Sequence, residues 1–392
     1  MKIALICDWY LPRIGGLELQ VRDLARELNA RGHETHVITA TPEPTPDPRL
    51  GTTLNIAVDR TIKVHRLDVA LAPRLNVIRS TNVALKVEKL FLDEGYDLVH
   101  AHSAFSPLAQ MGNYVARKLG IPSVLTEHSV LRGAGAFMLR GLDRLYGWSS
   151  WPEVLTAVST YVSDELVRAT KRTDCQVLPN GVDVKDWIPA THHDGDEVTI
   201  VSTMRLTKRK KPIEIVRAIP RVLAALPAGV KPPKFRLIGG GPEEQRVRRE
   251  ARRLGVEQHL EITGWRARPE VRQLLSASSI FVLPTSKEAL SIATLEALSA
   301  GLPVVAMNHG GVGDIITSGS EGFLVADSEE FARRIVELVS SASLRRRMAE
   351  AGRARVNHFS WDSVVARHLD VYRLAMQRRG QYRWPEPAKR VA

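Results

Sequence analysis

The chain has 392 residues, too many for one ordinary hydrophobic core, and this length predicts two domains. Its composition, 44% hydrophobic and 25% charged residues, is typical of a water-soluble globular protein. No apolar run approaches the ~20 residues that a membrane-spanning helix needs. The two cysteines, Cys7 and Cys175, are too few for a disulfide framework or a cysteine-rich zinc site, and they predict a cytoplasmic protein.

The formal net charge of +12 is concentrated in the second half of the chain. Residues 191–392 carry 33 Lys and Arg against 22 Asp and Glu, whereas residues 1–190 are nearly neutral. Basic proteins often bind nucleic acid, but no nucleic-acid motif and no interleaving of aromatic with basic residues accompanies this charge. The charge therefore predicts a solvated surface with one anion site, and no nucleic-acid partner.

Strand-like and helix-like segments alternate along the first half of the chain. The first segment, KIALICD, predicts a buried strand and not a signal peptide, because its apolar run is short and ends in Asp8. An amphipathic helix, LELQVRDLARELNARGH, follows it. The later strand-like segments are HVITATP, DLVHAH, PSVLTEH and VLTAVS. This alternation predicts a parallel sheet with helices on both faces.

The same pattern starts again after a polar segment at 189–197, which predicts a linker. The strand-like segments of the second half are VTIVSTM, FRLIGGG, LEITG, IFVLP and PVVAMN. We predict two Rossmann-like, doubly wound α/β domains, 1–190 and 191–365, facing each other across a cleft. A C-terminal helix and tail, 366–392, are predicted to return to the first domain. Ligands of such sheets bind at the carboxyl ends of the strands.

Glycines and basic residues follow the first strand of each predicted domain. Gly15 and Gly16 stand between a strand and a helix, where backbone amides can approach an anion, although a simple tight turn explains them equally well. Arg205 ends the first strand of the second domain and precedes the basic run 208–211. A forked Arg donor set beside Lys point charges suits a diphosphate, and a solvated basic loop is the alternative.

The glycines of GGGP, residues 239–242, resemble a dinucleotide-binding loop only in part. The third glycine of that fingerprint would fall on Glu244, which disfavours a nicotinamide enzyme and leaves a helix entry near a nucleotide. We predict no cofactor.

Three histidines stand at predicted strand ends. His100 and His102 are spaced like a metal pair, but a single inward-facing side of the strand explains the spacing equally well, and no metal is predicted. His128 ends the next strand, where it can polarise a reacting hydroxyl or phosphate.

Two glutamates, Glu288 and Glu296, stand eight positions apart in TSKEALSIATLEA. Glu288 falls in the loop after a strand. The amides from Ala289 to Ile292, including those of Leu290 and Ser291, are predicted to open a helix whose N-terminus favours phosphate. Glu296 lies further along this helix, with its Cβ tilted toward the N-terminus. One carboxylate on each side of a phosphate matches the ribose, diphosphate and sugar of a nucleotide sugar; two solvated glutamates on a capped surface helix are the alternative.

Segments spread over nearly the whole chain resemble the retaining glycosyltransferases of family four, which have the GT-B fold. They are PRIGGLELQVRDLARELNARGHE, DLVHAH, TEHS, VSTYVSDEL, LPNGVD, MRLTKRKKP, LIGGGPE, ITGW and LPTSKEALSIATLEALSAGLPVVAMNHGGVGD. Within this family, the phosphatidylinositol N-acetylglucosaminyltransferase-like members look most similar, on the segments HAHSAFSPLA, LTEHSVLRG and TSKEALSIATLEA.

The resemblance implies roles for the candidate residues. Arg205 and Lys210 would hold the donor diphosphate, with Lys211 as an alternative to Lys210. Glu288 would contact the transferred sugar, and Glu296 the ribose. This chain departs from the family pattern in having Met204 and Lys211 where glycine is usual, and Ala289 and Leu290 where an aromatic–glycine pair is common.

The first predicted domain would supply the rest of the site. By the resemblance, Gly16 would meet the donor diphosphate or the acceptor, and His128 would lie near the sugar. Members of this kind need no metal. Retention without an obvious nucleophile implies front-face attack, with the leaving diphosphate helping to deprotonate the acceptor. The alternatives are a nonhydrolysing sugar-nucleotide epimerase and a non-catalytic nucleotide-sugar-binding protein.

By the same resemblance, the acceptor would be a hydroxyl compound, either a small molecule or lipid-linked. Residues 60–89 combine seven Lys and Arg with two acidic residues and interleaved apolar residues. This composition suits anionic lipid headgroups and predicts a peripheral membrane contact, with Arg74, Arg79 and Lys86 among the basic residues. An ordinary amphipathic helix packed on the sheet is the alternative.

Overall fold

The computed structural model of the chain describes residues 1–13, 15–42, 61–69, 82–187, 197–285 and 287–380. The chain divides into two compact units, Met1–Pro179 with Val364–Ala392, and Asn180–Ser363. Each unit is an α/β domain with one parallel sheet, which confirms the predicted fold class. The predicted linker falls largely on residues outside the described ones, and residues 180–187 belong to the second unit.

The first unit contains a seven-stranded sheet in the described residues. Its strands are β1 (Lys2–Cys7), β2 (Glu34–Thr39), β3 (Lys63–Arg66), β4 (Leu98–His102), β5 (Ser123–Glu127), β6 (Val154–Ala157) and β7 (Gln176–Val177). Their order is β3-β2-β1-β4-β5-β6-β7. The order reverses between β1 and β4, as doubly wound folds do at the point where ligands bind.

Helices pack on both faces of this sheet. They are α1 (Gly16–Ala30), α2 (Val83–Glu94), α3 (Pro107–Leu119), α4 (Gly133–Tyr146) and α5 (Thr160–Ala169). Strand β1 runs through the middle of the sheet, and five of its six residues are buried because helices cover both of its faces. Helix α3 begins after Ser106, whose hydroxyl accepts the amide of Ala109 at 3.0 Å, and it ends at Gly120 in the left-handed conformation.

The second unit contains a six-stranded sheet in the described residues, in the order β10-β9-β8-β11-β12-β13. Its strands are β8 (Thr199–Thr203), β9 (Lys234–Ile238), β10 (Leu260–Gly264), β11 (Ile280–Leu283), β12 (Val304–Met307) and β13 (Gly322–Val325). Its helices are α6 (Pro212–Ala225), α7 (Glu244–Arg253), α8 (Arg268–Ser276), α9 (Ile292–Ser299), α10 (Ser328–Val339) and α11 (Ala342–Val356). The strand order reverses between β8 and β11.

The last described helix, α12 (Trp361–Arg379), belongs to the first unit from Val364 onward. Its Tyr372 is fully buried, and the hydroxyl lies 2.9 Å from Nδ1 of His100. Near its end, Arg379 makes an ion pair of 3.1 Å with Glu153. These contacts fix the helix to the sheet of the first unit. None of the helices in the described part of the chain has the length and apolar content needed to cross a bilayer.

Candidate functional site

The candidate donor-site residues of the second unit lie at the point where the strand order of its sheet reverses. Arg205 and Lys210 follow β8, and Glu288 follows β11, the neighbour of β8. Parallel strands that diverge in this way leave a crevice at their carboxyl ends. Residues far apart in sequence are therefore gathered at one end of the sheet.

The segment that carries Arg205 is held by the glycine-rich loop after β9. Met204 donates its amide to the carbonyl of Ile238, and Leu206 donates to that of Gly240, both at 3.0 Å. A Cβ on Gly239 would stand 2.1 Å from the carbonyl oxygen of Met204, so only glycine allows this approach. The glycines therefore position the backbone of the Arg205 segment, a role that the sequence pattern did not reveal.

The side chain of Arg205 is exposed and lies near an exposed aromatic ring. Its Cζ is 5.8 Å from the ring centroid of Trp265, which directly follows β10 and is 63% exposed. An exposed indole offers a flat surface on which a planar ring can stack. Sequence reasoning assigned no role to Trp265, although an aromatic residue directly after a strand, as in ITGW, was the available signal.

Of the two lysines considered for the diphosphate, Lys210 is the one that contacts the second candidate loop. Its Nζ forms an ion pair with Oε1 of Glu288. Lys211 is exposed and precedes α6 with φ of +52°, a left-handed conformation that explains why glycine suits this position.

Glu288 is 6% exposed, so the alternative of two solvated glutamates is wrong for this residue. Its carbonyl oxygen accepts the amide of Gly311 at 2.9 Å. The neighbouring Gly310 has φ of +80°, and a Cβ there would lie 2.2 Å from the same oxygen. The glycine pair after β12 therefore fixes the backbone of Glu288, and sequence reasoning did not assign it this role.

Helix α9 begins at Ile292, later than the predicted opening at Ala289. Ser291 is its N-cap, because the hydroxyl accepts the amide of Thr294 at 3.2 Å, and Ala289 and Leu290 precede the helix. The first amides of a helix have no intrahelical partner and favour an anion. Glu296 is half-buried and lies in the second turn.

In the first unit, Gly16 opens α1 and Gly15 is its N-cap. A Cβ on Gly15 would stand 2.3 Å from Oε2 of Glu18, so this carboxylate folds back over the start of the helix. Arg13 lies 3.6 Å from the same carboxylate group. The double glycine thus makes room for Glu18, which neither the anion-site interpretation nor the tight-turn interpretation included.

His128 follows β5 and is half-buried. Its Nε2 lies 3.0 Å from Nδ1 of His102, the last residue of β4. The two histidines therefore meet at the carboxyl ends of adjacent strands, and His128 is the more exposed of the two.

His100 is not arranged as a metal ligand. Its Nδ1 faces the hydroxyl of Tyr372 at 2.9 Å, and its Nε2 faces that of Thr126 at 2.7 Å. Both ring nitrogens thus have neutral hydroxyl partners, which fits the interpretation of His100 and His102 as inward-facing strand residues.

A buried carboxyl group, Glu127, organises the loop that carries His128. It accepts the amides of Ala104 at 2.6 Å, Ser129 at 2.7 Å and His128 at 2.9 Å. The carboxyl therefore joins the ends of β4 and β5. Burial raises its pKa to about 7, although the three amides act in the opposite direction. Sequence reasoning overlooked Glu127; an acidic residue closing the apolar run PSVLTE was the available signal.

Buried histidines should make the protein sensitive to mild acid. Burial lowers the pKa of His368 to about 4 and the pKa values of His100 and His102 well below the usual range. The unfolded chain protonates these rings near pH 6.5, so acidification below this pH favours the unfolded state. For His368 the free energy of unfolding falls by about 2 kcal/mol between pH 6.5 and 4.5. Glu127 has the opposite effect on stability. Its carboxyl takes up a proton near pH 7 in the folded state but only at lower pH in the unfolded chain, so acidification through this range favours folding.

We expect the free energy of unfolding to fall between pH 7 and 4.5, because three histidines outweigh one carboxyl group. Urea unfolding at several pH values measures this. In Glu127→Gln the fall should be larger by about 3 kcal/mol, since the opposing proton uptake is removed. A wild-type stability that rises over this range would contradict the assignment.

Comparison with known proteins identifies the fold and the class. A crystal structure of HepE (Alr3699) from Anabaena in complex with UDP superposes with a TM-score of 0.75 at 21% identity, over 95% of this chain and all of that one. The two parallel-sheet domains therefore have the GT-B fold. One component of the human phosphatidylinositol N-acetylglucosaminyltransferase is 25% identical over 80% of this chain and 63% of its own.

A second relative is the GDP-mannose-dependent monoacylated alpha-(1-6)-phosphatidylinositol monomannoside mannosyltransferase of Corynebacterium glutamicum. It is 27% identical over 94% of this chain and 97% of its own. The family model of the group 1 glycosyl transferases matches residues 183–355, and that of glycosyltransferase family 4 matches residues 14–186. These two models together span most of the chain, which is therefore a glycosyltransferase with a family 4 domain followed by a group 1 domain. The family does not favour the epimerase or the non-catalytic alternative.

Proposed function

We propose that the chain is a retaining, metal-independent glycosyltransferase that moves a sugar from a nucleoside diphosphate donor to a hydroxyl acceptor. A UDP-sugar such as UDP-GlcNAc is the favoured donor, and GDP-mannose is the second choice. The observation that carries this proposal is the meeting of Lys210 with Glu288 at the strand-order reversal of the second unit. A cation for phosphate and a carboxylate for sugar hydroxyls stand there side by side.

The donor would lie along the strand ends of the second unit. Arg205 and Lys210 would hold the diphosphate. The first backbone amides of α9, which begins at Ile292 directly after its N-cap Ser291, would contact it as well. Glu296, in the second turn of this helix, would accept hydrogen bonds from the ribose. Trp265 would stack on the base, because its exposed ring lies beside Arg205.

The Lys210–Glu288 ion pair has a consequence for binding. Lys210 would turn from Glu288 to the donor diphosphate, and the carboxylate of Glu288 would then be free to accept hydrogen bonds from the sugar. The partly exposed lysine can make this change because its stem reaches solvent, whereas the backbone of the glutamate is fixed by Gly311. Donor binding would thus exchange one charge pair for two charge-assisted contacts.

The chemistry would be front-face displacement of the diphosphate. The bond between the anomeric carbon and the diphosphate oxygen breaks, the acceptor oxygen attacks from the same side, and the departing diphosphate takes the acceptor proton. Arg205 and Lys210 would stabilise the charge that develops on the diphosphate, which is the largest catalytic contribution expected. His128 would assist at the sugar from the first unit, held in place by Glu127. Gly15 and Gly16 would border the donor or the acceptor.

Calorimetric titration with UDP, GDP and ADP in EDTA-containing buffer tests the donor proposal. We expect UDP to bind at least tenfold more tightly than ADP, and EDTA to leave the affinity unchanged. Trp265→Ala should weaken the binding of UDP by about 1 kcal/mol, which is the contribution of one aromatic stacking pair. This variant should fold normally, because the ring is exposed and little packing is lost. Absence of binding by all three nucleotides would contradict the proposal.

We further propose that the acceptor is presented by an anionic lipid surface. The predicted basic segment, 60–89, does not decide this, because Arg74 and Arg79 lie outside the described residues and Lys86 donates to the backbone oxygen of Asp68. Helix α4 supports the proposal instead. It closely follows the loop of His128, and its outer face bears Phe137 and Leu145, which are 80% and 77% exposed.

The remainder of α4 matches the same kind of surface. Met138, Leu142 and Tyr146 are also exposed, while the only acidic residue of the helix, Asp143, is buried. Arg140 and Arg144 are exposed on the same helix. Apolar residues interspersed with arginines on an outward helix face suit the boundary between headgroups and acyl chains.

A cavity of about 350 Å³ lies beside this helix. Its lining includes three arginines and one acidic residue, namely Arg132, Arg140, Arg168 and Glu165. Glu165 forms an ion pair of 2.9 Å with Arg168, so an excess of positive charge remains for a phosphate headgroup. The proposal therefore includes a peripheral contact with the cytoplasmic face of the membrane.

Sedimentation with liposomes tests the membrane proposal. We expect the protein to bind vesicles rich in phosphatidylserine and to bind phosphatidylcholine vesicles weakly. Phe137→Ser with Leu145→Ser should abolish binding, and Arg140→Glu with Arg144→Glu should reduce it at least tenfold, at about 1 kcal/mol per basic residue. Leu92→Ser with Val177→Ser, two exposed apolar residues outside α4 and outside residues 60–89, is the matched control. Equal loss in both serine pairs would return the acceptor to the soluble class.

A further inference from the structure

Three potential metal ligands converge near the amino ends of the strands in the first unit. They are Nδ1 of His36 on β2, Nε2 of His65 on β3, and the carboxylate of Glu94 at the end of α2. The strands of this sheet are parallel, so this edge lies opposite the carboxyl ends that carry His128. The cluster is therefore separate from the residues assigned to glycosyl transfer.

The spacing of these atoms matches a single tetrahedral ion. The two imidazole nitrogens are 3.2 Å apart, and they lie 3.6 Å and 3.5 Å from the two oxygens of Glu94. Ligand atoms placed about 2.0–2.1 Å from a tetrahedral Zn²⁺ stand about 3.3 Å from one another. The triangle thus has the size of one face of such a coordination sphere.

The surroundings of His36 prepare its Nδ1 for coordination. Nε2 of the same ring lies 2.9 Å from Oε1 of Glu34, so the N–H is at Nε2 and the lone pair is at Nδ1. Metal-binding histidines are commonly oriented by a carboxylate on the other nitrogen in this way. The hydroxyl of Tyr96, 3.0 Å from Nδ1, or a water molecule would occupy the fourth position.

Two lysines compete for the carboxylate. Nζ of Lys2 and Nζ of Lys63 each lie 2.7 Å from one oxygen of Glu94, which alone would make a plain ion-pair cluster. The side chain of Lys63 is 55% exposed and can turn into solvent, and each carboxylate oxygen has a second lone pair. The two imidazole ligands disfavour Mg²⁺ and Ca²⁺, which prefer oxygen ligands, and favour a borderline cation.

We propose that His36, His65 and Glu94 form a binding site for a borderline divalent cation, with Zn²⁺ the best match. The ion would tie β2, β3 and α2 together at the amino edge of the sheet. Since binding requires the folded triangle, the ion would stabilise the first unit. The site is independent of the donor and acceptor assignments, so its failure would leave them unaffected.

Titration of the full chain with Zn²⁺ tests the proposal. Any affinity tag is removed beforehand, bound metal is stripped with EDTA, and the EDTA is then removed by dialysis. We expect one equivalent of Zn²⁺ to bind and to raise the melting temperature. Co²⁺ should give the strong visible absorption of a tetrahedral site. His65→Ala should weaken Zn²⁺ binding at least tenfold, and His33→Ala, which removes a neighbouring histidine outside the triangle, should leave it unchanged.

The Lys63→Ala variant best distinguishes a zinc site from a plain ion-pair cluster. Removing a competing ammonium group should tighten Zn²⁺ binding at least about fivefold, because a like charge beside the ion is lost. A plain ion-pair cluster would instead lose stability and bind no zinc. The proposal is overturned if neither wild type nor Lys63→Ala binds a stoichiometric ion, or if His65→Ala binds as tightly as His33→Ala.

Discussion

Glu288→Gln is expected to lower the turnover of sugar transfer at least 100-fold while leaving the binding of bare nucleoside diphosphate intact. The carboxylate is proposed to contact the transferred sugar, which the bare nucleotide lacks. Loss of one group aimed at a developing transition state commonly costs about 3 kcal/mol. The variant also frees Lys210 from its ion pair, so the affinity for the diphosphate should stay the same or increase.

Glu296→Ala is the matched comparison for this prediction. It should weaken bare UDP or GDP, because the ribose is present in both nucleotides. Calorimetry with the nucleotide and a coupled assay of its release measure the two effects separately. If both variants lose nucleotide affinity equally, the proposed division of the glutamates between sugar and ribose is wrong.

The second large effect is expected for Arg205→Ala, which should weaken binding of the nucleoside diphosphate by about 2 kcal/mol or more. A charge-assisted contact is lost, and the diphosphate is left with fewer positive partners. The variant should fold normally, because the side chain is exposed and the backbone hydrogen bonds of Met204 and Leu206 do not depend on it.

Arg209→Ala is the control for charge alone. Arg209 is exposed on the same basic loop, and its contact with Thr285 uses the backbone oxygen, which the substitution preserves. This variant should change nucleotide affinity by less than about 0.5 kcal/mol. Equal losses for Arg205→Ala and Arg209→Ala would mean that the loop acts only through its net charge.

The arrangement of the sheets was predictable because parallel strands that are covered on both faces leave nearly continuous apolar runs. KIALICD, IFVLP and PVVAMN are such runs, and each overlaps a buried strand. The positions of Arg205 and Glu288 at strand ends follow from the same pattern. What alternation cannot supply is the order of strands in a sheet, and it is the adjacency of β8 and β11 that brings Lys210 to Glu288.

Glycines were harder to interpret because their sequence pattern does not say what they approach. Gly239 serves the backbone of Met204, and Gly310 serves that of Glu288, each about twenty residues or more away in the chain. Both contacts are between backbones of neighbouring loops. Such contacts depend on tertiary structure and leave no local periodicity that could reveal them.

The exposed apolar face of α4 was not predicted from the sequence, for a different reason. An amphipathic pattern is ordinarily taken to mean that the apolar stripe is buried. In α4 the buried positions are Leu139 and Asp143, while Phe137 and Leu145 are exposed. A helix with apolar residues on both its buried and its exposed sides cannot be oriented from the sequence alone.

The most direct test of the proposed activity is the configuration of the sugar released when the full chain slowly hydrolyses UDP-GlcNAc or GDP-mannose, with water as the acceptor. Proton NMR spectra recorded before the free sugar mutarotates report this configuration. A retaining transferase should release the α-anomer first, together with the nucleoside diphosphate. The Glu288→Gln variant should release the free sugar and the nucleoside diphosphate much more slowly than wild type. The β-anomer appearing first, or an epimerised nucleotide sugar without free nucleotide, would contradict the proposal.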